Sequence, residues 1–495
     1  MKWPRASGIL VHPTSLPDPF GVGDLGPATC RLLDFLVTSK QKLWQVLPLG
    51  PTGYGNSPYA GLSAFAGNPV LISPEWLVED GLLTAEEIAA HPAFPAERVD
   101  YGSVVPWKMA LLQTSFERFR SQADTPLHHD YEAFCAAQHS WLDDYAFFAA
   151  LKEAHGGVSW VQWEEQLARR EPDALAAARE RLADSIEFQR YVQFLFYRQW
   201  TRVRAAAHER GISIIGDVAI FVAHDSADVW AHPELFQLDE YGNPTVVAGV
   251  PPDYFSPTGQ RWGNPLYRWD VLAANNYAWW VERIRQAREL VDIVRLDHFR
   301  GFYSYWEVPG DSETAIDGRW VPGPGEALFD AIREALGEVP FIAEDLGQIT
   351  PGVIRLRERL EFPGMRVLQF AFGANAKNQH LPHNFTHDTV VYTGTHDNDT
   401  TRGWFETRTG HERTHPLKYL ASDEHDVVWE MIRAALASVA TLAVVPMQDV
   451  LDLGTEARMN FPSRADGNWE WRCTDEQLAS PVAKRLANLS TLYGR

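Results

Sequence analysis

The run 294–301, VRLDHFRG, constrains the fold more than any other stretch, because an apolar segment, VDIV, passes directly into Arg295, Asp297, His298 and Arg300. Buried strands do not normally end in four ionisable groups. A TIM barrel gives such an ending a physical reason, since its strands are apolar along their length and carry chemistry at their C-terminal ends, where the loops meet. Three further segments end the same way: ISIIGDVAIFVAHDS near Asp217, VPFIAEDLG at Glu344 and Asp345, and TVVYTGTHDNDT at His396, Asp397 and Asp399. One such aspartate alone reads more simply as a helix N-cap or a salt-bridged loop carboxylate. Four apolar segments in order, each delivering carboxylates, point to a shared site.

The rest of the chain supplies the other strands such a barrel needs. Apolar runs at 8–11, 43–50, 365–370, 388–392 and 441–446 alternate with helical patterns at 28–39, 278–290, 324–336 and 424–438, and a closing helix is expected over 475–492. The fold class is therefore α/β, a TIM (β/α)8 barrel with largely helical insertions, forming one domain over 1–495. Residues 73–210 read as a mainly helical insertion between the second and third strands, with long helices at 105–120, 131–154 and 172–209. The stripe YVQFLFYRQW within it reads as core packing. Residues 231–269 are too polar and too rich in Gly and Pro for a core, so they read as a loop insertion after the third strand, of the kind that forms lids and binding walls.

Composition excludes several classes. A formal charge of −21 with no local basic cluster makes nucleic acid a poor partner. No apolar run approaches membrane-spanning length, and the N-terminus MKWPRASGILVHP is a poor signal peptide. Three scattered cysteines, Cys30, Cys135 and Cys473, fit a reducing cytoplasm with neither a disulfide framework nor a zinc spacing. The aromatic residues (Trp 19, Tyr 16, Phe 25) often stand beside Gly, Pro or Asn; core packing accounts for most, yet exposed rings in loops suit the C–H faces of sugars.

With no phosphate loop and no dinucleotide fingerprint, carboxylates on successive barrel strands point to glycoside chemistry. A retaining mechanism needs a carboxylate nucleophile and a protonated acid about 5–5.5 Å apart, and Asp297 and Glu344 are the natural pair. Arg295, two residues before Asp297, faces the same side of the strand and can hold that carboxylate ionised. Glu344 follows apolar residues, and burial there raises its pKa. Asp397 is a third carboxylate for ring hydroxyls; a metal site at the same His-Asp-Asn cluster is the competing account. In the loop PTGYGNSPYAGLSAFAGNP, Tyr54, Ser57 and Tyr59 are candidates for ligand contact, with an irregular surface loop as the alternative. Phe255, Gln260, Trp262 and Asn264 occupy the most turn-rich part of the later loop.

The motifs GYGNSPYAG, GDVAIFVAHDSADVW, PPDYFSPTGQRWGNP, VRLDHFRG, AEDLG, GTHDND, ARMNFPS and GNWEWR, in this order along nearly the whole chain, resemble those of glycoside hydrolase family 77, the 4-alpha-glucanotransferases. The resemblance implies that Asp297 is the nucleophile, Glu344 the acid/base and Asp397 the transition-state stabiliser. It further implies that Asp217, Arg295, His298 and His396 support the sugar at the cleavage point. Tyr59 and Ser57 would line the donor side, Gln260, Trp262 and Asn264 a mobile loop over the acceptor side, and Asn460 would add a sugar contact. Val222, where alpha-amylases carry His, favours the transferase family, while Arg261 and Ser463 depart from the family's pattern. The implied activity is transfer of α-1,4-glucan segments between maltooligosaccharide donors and acceptors, without a cofactor or metal, by a monomer or weak homodimer. A maltodextrin hydrolase with the same carboxylates and a non-catalytic glucan-binding barrel are the alternatives.

Overall fold

A computed structural model describes residues 3–122, 125–252, 256–462, 464, 466–479 and 481–495. Its strands are β1 (Ala6–Leu10), β2 (Leu43–Gln45), β3 (Ser213–Ala219), β4 (Val246–Val250), β5 (Gln260–Pro265), β6 (Ile293–Asp297), β7 (Ser304–Pro309), β8 (Arg319–Pro322), β9 (Phe341–Ala343), β10 (Gly364–Val367), β11 (Thr389–Tyr392) and β12 (Leu442–Pro446). Eight of them, β1, β2, β3, β6, β9, β10, β11 and β12, close into a parallel barrel. Most of their side chains are apolar and almost wholly buried, as in Ile9, Trp44, Ile214, Val294, Ile342, Val390 and Val444, because helices cover the outside while side chains fill the lumen. Helix Glu326–Leu336 shows how the cover is made: Leu328, Phe329 and Ile332 form one buried stripe on an otherwise polar helix.

Register decides which strand ends meet. On β3 and β6, Asp217 lies opposite Arg295 and Ala219 opposite Asp297. On β6 and β9, Leu296 lies opposite Ala343, so Asp297 and Glu344 are the next residues up on neighbouring strands. The Glu344 amide donates to the Leu296 carbonyl, and the Phe299 amide returns to the Glu344 carbonyl, which carries the pairing past the end of the strands.

Between β2 and β3 stand the helices Tyr101–Ser121, Pro126–Ala154, Pro172–Arg181 and Ala183–Glu209. The run expected as one helix over 172–209 breaks at Leu182, which ends one helix and begins the next. The closing helix likewise divides into Asp475–Leu478 and Val482–Leu492, with Pro481 preceding the second. The stripe in YVQFLFYRQW is core, with Tyr191, Val192, Leu195 and Phe196 buried.

The segment 231–269 is more ordered than a loop: it supplies β4 and β5 to an antiparallel sheet of order β5-β4-β7-β8, whose other half comes from the chain after β6. The sequence hides these strands because β4 is VVAGV and β5 is QRWGNP, with the glycine and proline that ordinarily argue against a strand. Gly249 is there because the strands approach closely; a Cβ would fall 2.4 Å from the Gln260 carbonyl oxygen. Val247, Val308 and Ala315, with Trp306 packed against them, make a small separate core.

One ion pair ties the helical insertion to the loops after β1 and β2. The Lys108 ammonium, 2% exposed, lies 3.0 Å from Asp24 and donates to the carbonyls of Val70 and Ile72. Lys108→Ala leaves the Asp24 carboxylate buried without its cation, and equilibrium urea unfolding is expected to show a loss of about 3–5 kcal/mol. A loss below about 1 kcal/mol, the range of exposed pairs, would contradict this role.

Candidate active site

The site begins with Arg295. Its side chain is 4% exposed, and one guanidinium nitrogen donates to Asp217 on β3 at 2.5 Å and to Asp297 at 2.9 Å. The Nε reaches Met365 Sδ at 3.4 Å on β10. The Tyr59 hydroxyl adds a 2.8 Å hydrogen bond to the same Asp217 oxygen, and burial beside that carboxylate holds the phenol protonated well above its ordinary range. Burial and the Asp297 charge push Asp217 up to about 6, against the pull of Arg295. Burial opposes the charge on Arg295 itself, but Asp217 and Asp297 together raise its pKa further still. Asp297 is thus fixed from below while its side chain opens into the cavity above.

Glu344 occupies a different environment. Its carboxyl oxygens accept from the amides of His298 at 2.8 Å and Leu346 at 2.7 Å, and it stands behind the turn that follows β6. Burial, then the charge of Asp297, raise it to about 8, only partly offset by Arg295 and the two amides. His298 takes a left-handed backbone, φ 53°, which presents its amide to Glu344 and its ring to Trp262, edge to face at 4.9 Å. Burial lowers the imidazole to about 4, so it is neutral, and its buried Nε2 has no partner among the described residues.

On the opposite rim, Asp397 follows β11 with its side chain 51% exposed, 3.3 Å from His396 Nε2. The Asn460 amide donates to Asp397 Oδ1 at 2.6 Å, and Arg458 donates to the backbone carbonyls of Asp397 and Asn460. Although enclosure opposes its charge, His396 and Asn460 hold Asp397 below the usual carboxylate range. Burial depresses His396, yet Asp397 more than compensates and the imidazole is raised. The His396 ring stacks on Tyr59 at 5.0 Å, which joins the two rims.

A cavity of about 680 Å³ lies between these groups, lined by Tyr54, Ser57, Tyr59, Gln260, Trp262, Asn264, Asp297, His298, His396, Asp397 and Asn460. Its size is that of an oligosaccharide or drug-sized site, about 300–1,000 Å³. Asp217 and Arg295 lie under Asp297 and outside this lining, as does Glu344. Tyr54 is 83% exposed at the rim. Gln260 accepts from the Trp262 indole at 3.2 Å, and Asn264 is anchored to the Val222 carbonyl at 2.9 Å. Phe255 and Ser463 lie outside the described residues. Arg261 points away along β5 and donates to the Gly310 carbonyl.

Among the lining residues that carried no assignment from sequence are His224, Asp225, Pro462 and Trp469. The HDS run after β3 was a visible signal for the first two. Trp469 packs on Tyr59 and His396 through a left-handed backbone, φ 65°, which periodicity does not reveal. Among the described residues no group of three or more His, Cys, Asp or Glu side chains converges as a metal site would.

The comparisons with known proteins agree with this geometry. The model of glycoside hydrolase family 77, described as 4-alpha-glucanotransferase, matches residues 11–478. Over 494 residues the chain is 53% identical to a 4-alpha-glucanotransferase of Thermus thermophilus, covering 98% of each. It is 49% identical to that of Synechocystis, covering 99% of this chain and 98% of the relative. The structure superposes on the amylomaltase from Streptococcus agalactiae in complex with acarbose with a TM-score of 0.96, at 38% identity and 99% coverage of both chains. The family model over residues 11–478 and relatives at about half identity along nearly the whole length place this barrel in glycoside hydrolase family 77, the 4-alpha-glucanotransferases.

Proposed function

We propose that Asp297, Glu344 and Asp397 carry the transfer of α-1,4-glucan segments through a covalent glycosyl-enzyme. The observation that supports this most is the placing of Asp297 and Glu344 at one level on neighbouring strands. Neighbouring strands lie about 4.8 Å apart at the backbone, so two carboxyl groups at one level are within reach of the separation of about 5–5.5 Å that a retaining pair needs.

In the first step Glu344 gives its proton to the glycosidic oxygen as the C1–O bond breaks, and the Asp297 carboxylate forms an ester bond to C1. The leaving chain departs with a free 4-hydroxyl. In the second step the Glu344 carboxylate takes the proton from an acceptor's 4-hydroxyl, whose oxygen attacks C1 and releases Asp297. Asp397, kept ionised by His396 and Asn460, accepts hydrogen bonds from ring hydroxyls of the distorted sugar. Neutral His298, with its unpartnered Nε2, serves a hydroxyl on the same sugar. Trp262, 39% exposed and flanked by Gln260 and Asn264, offers the acceptor a ring to cover and thereby keeps water from the ester. Tyr54, Ser57 and Tyr59 line the donor side. The protein acts as a monomer or weak homodimer, and three free cysteines suit a reducing cytoplasm.

Incubation with maltotriose alone tests the reaction. Free glucose plus a ladder of longer maltooligosaccharides, at a constant number of reducing ends, is expected; rising reducing ends without longer chains would mean that water resolves the ester and the enzyme is a hydrolase. The pH profile tests the acid. Since the leaving group needs the protonated form of Glu344, kcat/KM should be maintained on the acid side and fall as pH rises through about 8. An alkaline limb already complete near pH 5, where an ordinary glutamate has lost its proton, would remove Glu344 from this role.

A further inference from the structure

A second cavity, of about 730 Å³, stands beside the first and is assigned to nothing above. It is walled by the short helices Trp160–Gln162 and Glu165–Ala168, the turn 238–244, the start of helix Trp269–Ala274, and Tyr305 and Pro322 of the accessory sheet. We propose that it binds a segment of the α-1,4-glucan remote from the bond being broken.

The lining fits a neutral polyhydroxylated chain. Aromatic rings from Trp160, Tyr241 and Trp269 contribute apolar surface, while Arg169, Glu234 and Asp270 place donors and acceptors among them. The charges are of both signs and partly paired already, Arg169 with Glu165 and Arg268 with Asp270. With Arg169 and Arg268 facing Glu234, Asp239, Glu240 and Asp270, the wall carries an excess of carboxylates, so it turns anions away and offers mainly acceptors to the hydroxyl groups of a neutral sugar.

Tyr241 is the most telling residue. It is 63% exposed, a costly place for a large ring, yet the turn that carries it is rigid. Asp239 Oδ1 accepts from the amides of Tyr241 at 2.9 Å and Asn243 at 2.8 Å. Gly242, φ 84°, lies so close to Trp160 that a Cβ would fall 2.4 Å from its ring. A ring held out on a fixed turn, with the Arg169 guanidinium 5.9 Å from its centre, is a preformed stacking platform.

The partition between the two cavities is one layer of side chains. His224 lines the first cavity, and its Nε2 lies 2.8 Å from the carbonyl oxygen of Gly242, which lines the second. Trp160 lines the second and donates its indole N–H to the His224 carbonyl at 2.8 Å. A glucan too long for the catalytic cavity therefore meets the second cavity directly, and anchoring there raises its effective concentration at the first.

The test compares Tyr241→Ala with the unaltered enzyme on maltotriose and on amylose. Because Tyr241 touches only the second cavity, kcat/KM for maltotriose should stay within about twofold, while that for amylose falls about tenfold through KM, the loss of one stacking contact. Calorimetry of maltotetraose binding to Asp297→Asn should show a second binding event that disappears in Asp297→Asn/Tyr241→Ala. A single binding event indifferent to Tyr241, or equal losses on both substrates, would overturn the proposal. Turnover by Asp297→Asn would instead refute the catalytic assignment, and the amylose-to-maltotriose ratio of Tyr241→Ala would still report on the second cavity.

Discussion

The Arg295 guanidinium, buried between Asp217 and Asp297, is the interaction on which the site depends. Two carboxylates this close repel each other, and burial adds to the cost of the charge on Asp217. One cation between them offsets part of that cost, although Asp217 stays raised, and it also fixes direction, since it can satisfy both only if β3 and β6 keep their register. Tyr59 then reaches over from the loop after β2 to the same Asp217, and His396 stacks on Tyr59 from the loop after β11. Four separate strand ends are in this way drawn to one point by a chain of contacts that starts at Arg295.

From that point the surroundings sort the carboxylates. Glu344, behind the His298 turn and near the charge of Asp297, is held protonated far above the ordinary range. Asp397, at the open rim with His396 and Asn460, is held ionised. A protonated and an ionised carboxyl group can coexist at one pH only when their environments differ in this way. The left-handed backbone at His298 is part of the arrangement, since it turns the chain so that one residue caps Glu344 with its amide and faces Trp262 with its ring.

Much of this was legible because barrel strands have a simple grammar: apolar inside, chemistry at the end. The strand ends at Asp217, Asp297, Glu344 and Asp397 follow from that rule. The accessory sheet was not legible, because β4 pairs with β7 across the whole of β6, and the Gly and Pro residues of β4 and β5 belie a strand. Nor were the roles of Arg458, which holds the backbone of Asp397 and Asn460 together, or of Trp469 under Tyr59. Those depend on loops meeting in space, and no local pattern encodes them. The helix break at Leu182 also escaped, because helical propensity continues through it with no glycine or proline to mark where the backbone leaves the helix.

The most direct measurement is to trap the ester. A maltosyl fluoride needs little protonation to leave, so Glu344→Gln should still be glycosylated by it, whereas the missing base leaves the ester long-lived. Peptide mass analysis of the quenched protein is expected to locate the sugar on Asp297. A sugar on Asp217 or Asp397 instead, or a protein with no adduct while fluoride is released, would contradict the assignment.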